Sequence, residues 1–115
     1  MREETNWREY DEGFSIGTSG ADGGIITRDE EHAGGARITL EEESSFAPFA
    51  VACGIYGWMF HTRYFSDKDE ANQEFERMKI DLDDILQAIP AEEDADEDAL
   101  AAVSEEISDF VEKYP

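Results

Sequence analysis

The chain has 115 residues, with 30 acidic and 9 basic side chains and a formal net charge of −21. Nucleic acids and anionic lipids bind positively charged surfaces, so this charge argues against both as direct partners. The single cysteine excludes an internal disulfide, and no stretch reaches the roughly 20 apolar residues of a membrane span. We therefore expect one soluble, cytoplasmic α+β domain over residues 1–115, without a signal peptide.

Two interpretations of the acidity compete. An acidic mimic of nucleic-acid phosphates, acting on a basic protein, would concentrate its carboxylates on one ridge. Here acidic residues occur in every segment except 44–66. This dispersal favours a generally acidic surface, typical of adaptation to high salt, and predicts that stability is kept or rises in concentrated KCl.

Residues 13–65 carry the pattern of an antiparallel meander of about four strands. Phe14 and Ile16 alternate with small polar residues and predict the first strand. The segment ADGG at 21–24 predicts the hairpin turn that follows, because Asp-Gly suits positive φ. A second strand opens at Ile25.

The second strand ends in the charged run RDEEH at 28–32. Charges on both faces predict that this end protrudes into water or lies at a sheet edge. The segment AGGA at 33–36 turns the chain into RITLE at 37–41. Ile38 and Leu40 alternate there with polar residues, as in a half-buried strand.

After the connector SSFAPF at 44–49, the acid-free segment Ala50–Phe65 is apolar on both faces. A strand of this kind is covered on both sides. Tyr56-Gly57 could form a turn between two shorter strands. The unbroken aromatic series at even positions instead favours one bent strand. That series is Tyr56, Trp58, Phe60 and Tyr64.

Residues 66–115 predict two helices packed on one face of the sheet. Ser66 is the predicted N-cap of the first helix, with Asp69 three residues on, and Pro90 ends it. Apolar side chains recur at helical spacing in both segments. They are Ala71, Phe75, Met78, Leu82, Ile85 and Ile89 in the first, and Leu100, Val103, Ile107, Phe110 and Tyr114 in the second.

Acidic residues precede the second helix at a spacing known from metal sites. Asp94, Asp96, Asp98 and Glu105 fall at positions 1, 3, 5 and 12 of a twelve-residue segment that resembles the calcium loop of EF-hands. Ala99 departs from that family, which has Gly there for a sharp turn with positive φ. The alternative is an acidic helix start with Asp94 or Asp96 as N-cap. We expect weak or no calcium binding, no metal and no other cofactor.

Cys53 and His61 are candidates for a nucleophile–base pair, which needs an approach to about 3 Å. Eight residues of one extended strand would separate them by roughly 27 Å. They meet only if Tyr56-Gly57 is a turn or a second subunit brings them together; otherwise Cys53 is a buried core residue. His61 and Arg63 either pair with acids such as Asp67 or supply the polar groups of a pocket.

Two consecutive helices cover one sheet face, so an apolar face remains open, and such faces are typically binding sites. We expect a non-enzymatic interaction module that forms a homodimer, or binds another protein, through the aromatic series. Tyr64 belongs to that interface. A ligand-binding or enzymatic pocket is the alternative. It would be lined by Tyr56, Trp58, Phe60, His61 and Arg63.

Overall fold

The computed structural model describes residues 6–115, apart from the side chain of Glu92. Five antiparallel strands form one sheet in chain order, and two helices follow. The predicted α+β class is confirmed, with five strands rather than about four. The strands are β1 (Trp7–Glu9), β2 (Ile25–His32), β3 (Ala36–Glu42), β4 (Phe49–Ile55) and β5 (Met59–Phe65), and the helices are α1 (Lys68–Ala88) and α2 (Glu97–Lys113).

The first strand lies earlier than predicted. β1 pairs with the far end of β2, and three successive residues with positive φ, Asp11, Glu12 and Gly13, end it. Phe14 and Ile16 follow in a series of local turns, so the strand predicted for them is wrong. Two alternating apolar residues between such turn-forming neighbours are too short a pattern to specify a strand.

The turn predicted at 21–24 is present. Gly23 has a φ of +86°, and the N–H of Gly20 donates to the carbonyl of Gly24 at 2.9 Å. The hairpin continues for a short distance only, through the bridge between Ser19 and Ile25 and the backbone hydrogen bonds of Ile26 with Gly17 and Thr18. Residues 10–24 instead cross over the sheet, and we call them the covering segment.

The charged end of β2 neither protrudes nor forms a sheet edge. It lies between β1 and β3, and both Asp29 and His32 are buried. Asp29 is paired with Arg37, and His32 lies 2.6 Å from Asp83 on α1. The prediction was wrong because partners elsewhere in the chain satisfy these side chains, and β1 takes the edge.

The predicted single bent strand over residues 50–65 is two strands. Ile55 pairs with Met59, and the N–H of Trp58 donates to the carbonyl of Ile55 at 2.9 Å. Gly57 has a φ of +83°, which a residue without Cβ adopts at no steric cost. The turn therefore reverses the chain in the middle of the aromatic series.

Helix α1 begins one residue later than predicted. Asp67, not Ser66, is its N-cap, with a carboxylate that accepts from the N–H of Glu70 at 2.8 Å. The predicted apolar face of α1 is buried against β3 and β4. Neither helix in the described part of the chain is long and apolar enough to cross a membrane. The buried core residues include Ile38, Leu40, Val51, Cys53, Ile55, Phe75, Met78, Leu82, Val103, Phe110 and Tyr114.

Candidate binding face

The sheet has one face under the helices and one facing away from them, which we call the outer face. Cross-strand partners share a face, and Val51, Cys53 and Ile55 belong to the helix-side core. Their neighbours along the strands therefore point outward. The outer-face rows across β3, β4 and β5 are Arg37, Gly54 and Phe60; Thr39, Ala52 and Thr62; and Glu41, Ala50 and Tyr64.

The covering segment is attached to the outer face first through Asp29, whose side chain is fully buried. Arg37 donates to this carboxylate through Nε at 2.9 Å and Nη2 at 2.6 Å. Ser15 of the covering segment donates its hydroxyl to the same carboxylate at 2.7 Å. The Tyr10 ring lies 3.6 Å from the Arg37 guanidinium carbon. Both ends of this ion pair therefore contact the segment.

Glu41 provides the second attachment and is only 1% exposed. Its carboxylate accepts the backbone N–H of Gly24 at 2.9 Å and of Asp22 at 3.1 Å. A Cβ at Gly20 would lie 2.2 Å from this carboxylate, so the segment needs glycine there. Hydrogen bonds to an ionised acceptor are stronger than neutral ones, which fits a buried carboxylate used as an anchor.

The covering segment leaves the outer face of β5 open, whereas Ala50 and Ala52 of β4 are buried. Ala50, Ala52 and Gly54 give this surface a shallow floor, and β5 adds Phe60, Thr62 and Tyr64; all six are uncharged. Phe60 is 74% exposed and Tyr64 46%. Phe46 of the connector, 77% exposed, lies with its ring centroid 5.9 Å from that of Tyr64. We call Phe46, Phe60 and Tyr64 the aromatic edge.

A groove of about 480 Å³ runs between Phe60 and the covering segment. Thr39, Ala52 and Gly54 lie along it on the sheet, and Ser19–Ala21 line it from the covering segment. Tyr56 also lines the groove and donates its hydroxyl to Glu31 at 2.9 Å. Burial, followed by this bond, raises the pKa of Tyr56 to about 12, so the phenol stays neutral.

The structure divides the predicted site residues between the two faces. Tyr56 and Phe60 line the groove, and Tyr64 lies beside it on the outer face. Trp58 packs against the hydrophobic core instead. The prediction of one continuous aromatic row is therefore wrong, because the turn at Gly57 separates its members.

His61 and Arg63 point to the helix side and contact the end of the chain. The Nε2 of His61 is hydrogen-bonded to the carbonyl of Tyr114, and the Nε of Arg63 donates to the carbonyl of Pro115 at 3.3 Å. Arg63 also pairs with Glu74 at 2.8 Å. Its acidic partner is thus Glu74 rather than Asp67, and neither His61 nor Arg63 lines the groove.

Cys53 and His61 are brought opposite each other by the β4–β5 hairpin. Burial raises the pKa of the Cys53 thiol to about 12. The thiolate is the nucleophilic form, so this thiol stays protonated and unreactive at neutral pH. The arrangement is that of a buried core cysteine beside a histidine engaged with the Tyr114 carbonyl.

The acidic segment before α2 has the geometry of a helix start. Asp96 is the N-cap, and its carboxylate accepts the N–H of Ala99 at 2.8 Å. Asp98 lies in the first turn and Glu105 farther along the same helix, so the chain here does not form the loop that the EF-hand resemblance implied. Asp94 ends a short 3₁₀ helix. Within residues 6–115, no three potential metal-ligating side chains form a cluster.

Sequence reasoning missed Asp29, Arg37 and Glu41, which shape the outer face. One sequence signal could have indicated a buried carboxylate. The glycines of 17–24 expose backbone N–H groups, and such groups favour a nearby carboxylate. Comparison with protein-family models, curated proteins and solved structures gave no match. Inference about function therefore depends on the groove and the aromatic edge.

Proposed function

We propose that this protein is a non-enzymatic interaction module that self-associates as a homodimer through the outer face at β5. The observation that supports this is an uncharged, apolar surface, the aromatic edge, in a chain of net charge −21. Exposed aromatic patches are typical of interfaces, and large aromatics contribute most when they are desolvated at a patch centre. Asp22 contributes a carboxylate beside this surface, 3.3 Å from the Tyr64 hydroxyl, but the residues of the aromatic edge carry no charge, which limits repulsion between two copies.

The two edges of the sheet differ in how they resist association. β1 has three residues, two of them charged, and ends at the positive-φ residues 11–13. β5 has seven residues with no bulge or proline. Within the described chain, no residue outside β4 forms a backbone hydrogen bond with β5. The one charged side chain of β5, Arg63, is paired with Glu74 on the helix side, and an edge strand without a bulge or proline is open to pairing with another strand.

Antiparallel pairing of β5 with its copy gives this association a two-fold geometry. If the axis passes at Thr62, Phe60 lies opposite the partner's Tyr64, and the reverse pair forms by symmetry. Aromatic cross-strand pairs of this kind contribute roughly 0.2–1 kcal/mol each. A closed two-fold dimer is also the commonest form of homo-oligomer.

Phe60→Glu tests the proposal, with Ile80→Glu as the matched control. Ile80 is also largely exposed, at 65%, but lies on α1. We expect wild type and Ile80→Glu to sediment as dimers, more completely at high KCl because screening weakens carboxylate repulsion. Phe60→Glu should sediment as a folded monomer with an unchanged circular dichroism spectrum.

Two results would reject self-association at this surface. One is a monomeric wild type at every protein and KCl concentration. The other is equal disruption by Ile80→Glu and Phe60→Glu, since the effect would then follow from added charge rather than from the aromatic edge.

A further inference from the structure

We propose that the groove on the outer face binds a small, uncharged, flat aromatic molecule. At about 480 Å³ it falls within the roughly 300–1,000 Å³ of small-molecule sites. Such sites are mostly apolar with a few polar groups that orient the ligand. This inference does not depend on the proposed self-association.

The shape of the groove favours a flat ligand. Ala52 and Gly54 place almost no side chain on its floor, so the sheet itself forms a flat base. A Cβ on Gly54 would lie 3.3 Å from the Phe60 ring, so the glycine allows the ring to lie close to the strand. Phe60 and Tyr56 present aromatic surface to the groove, and aromatic rings favour stacked or edge-to-face contacts with another ring.

The charged groups of the groove favour an uncharged ligand. The Arg37 guanidinium is held by Asp29 and the Tyr10 ring, and both Glu41 oxygens accept backbone N–H groups. A charged ligand would lose its hydration in the groove and would find no unpaired charge of opposite sign there. Its binding would therefore be unfavourable. An anion would also meet the field of a chain with net charge −21.

Two hydroxyls can orient the polar group of such a ligand. Thr39 and Ser19 line the groove, and neither side chain forms a hydrogen bond within the described chain. They approach from opposite sides, one on the sheet and one on the covering segment. The ligand class is therefore an apolar ring system with one neutral donor or acceptor.

The test uses N-phenyl-1-naphthylamine, a neutral aromatic dye, titrated by fluorescence. Ala52→Leu fills the groove floor, and Thr62→Leu is its matched control. Ala52 and Thr62 are cross-strand partners on the outer face, but only Ala52 lines the groove. We expect Ala52→Leu to weaken dye binding by about tenfold or more without changing the sedimentation of the protein. Thr62→Leu should bind the dye like wild type.

A second pair of variants applies if Ala52→Leu does not fold. Ala21→Glu puts a carboxylate at the groove, and Ala33→Glu puts one in an exposed turn away from it. Dye binding should be lost only in Ala21→Glu. Absence of dye binding by wild type, or equal binding by both members of a folded pair, would overturn the site. Equally tight binding of an anionic anilinonaphthalene sulfonate would overturn the uncharged ligand class.

Discussion

The two faces of the sheet are covered in different ways. On the helix side, α1 buries an apolar row against β3 and β4, including Phe75 and Leu82, both with no exposed surface. On the outer side, the covering segment is anchored by hydrogen bonds to two buried carboxylates, Asp29 and Glu41. One cover depends on removing apolar area from water, and the other on a few charge-assisted hydrogen bonds.

This difference implies that the covers have unequal stability. The helix-side core joins Trp7, strands β3 to β5 and both helices, so losing it means losing the fold. Phe14 of the covering segment remains 74% exposed, and a segment that buries little apolar surface opens at a lower free energy than the core. The groove therefore lies beside the more easily opened of the two covers.

The largest expected effect comes from truncating the helix-side core. Phe75→Ala should lower the free energy of unfolding by about 3–5 kcal/mol, because it leaves a cavity in a dry interior. Phe60→Ala, on the exposed outer face, should change it by less than about 0.5 kcal/mol for the monomer. Urea unfolding followed by circular dichroism measures both. Similar losses in the free energy of unfolding for the two variants would mean that other residues of the monomer already cover the outer face at Phe60.

A smaller effect is expected from one outer-face anchor. Glu41→Gln keeps the shape of the side chain but replaces one acceptor oxygen with a donating NH2 group. We expect the free energy of unfolding to fall by about 1–3 kcal/mol. The amides of Asp22 and Gly24, which donate to Glu41, should exchange hydrogen faster. Hydrogen exchange followed residue by residue measures this local opening.

Glu42→Gln is the control for this anchor. Glu42 is the next residue, but its side chain is 31% exposed and lies 3.5 Å from Lys68, a geometry that contributes little to stability. We expect its exchange pattern to match wild type. If exchange in the covering segment rises equally in both variants, the segment is not held by the Glu41 carboxylate.

The smallest effect concerns acid stability on the helix side. A hydrogen bond from Arg63 keeps the pKa of Glu74 below its ordinary value of 4.5; burial opposes this, and Arg77 adds to it. A lowered folded-state pKa gives stability that is present above the unfolded pKa and lost as pH falls through the folded one. Melting temperatures from about pH 6 down to about pH 2 should therefore fall less steeply in Glu74→Gln than in wild type.

The exposed Glu106 of α2 provides the comparison for that experiment. Glu106→Gln should follow the wild-type curve, because no cation is paired with it in the described chain. Parallel curves for Glu74→Gln and wild type would show that the Arg63–Glu74 pair contributes nothing to acid stability.

Sequence periodicity was sufficient to predict the elements whose apolar side chains all face the same environment, the helix-side core. The buried row of α1 and the alternation of Ile38 and Leu40 in β3 were predicted correctly, because each repeats one contact with the core. The β4–β5 turn was not predicted, because Gly57 permits both a bend and a reversal of the chain. The alternation of aromatic residues in the sequence is the same in either case.

The candidate site was harder to predict than the fold. The interior position of β2 depends on partners that lie 8 residues away for Asp29 and 51 for His32. The groove exists only because residues 10–24 return over strands that come later in the chain. Tyr56 and Phe60 were identified from the aromatic series of the acid-free segment, whereas Arg37, Thr39 and Glu41 needed the register of β3 against β4.

The meander order also determines what assembling each face costs in chain entropy. The outer-face anchors join residues 14 and 17 positions apart, Ser15 to Asp29 and Gly24 to Glu41. The contact between His61 and Tyr114 spans 53. Each doubling of loop length costs about 0.6 kcal/mol more to close, so the C-terminal contact costs roughly 1 kcal/mol more than either anchor. We therefore expect the outer cover to form while the strands are still pairing, and the contact between His61 and Tyr114 to form later.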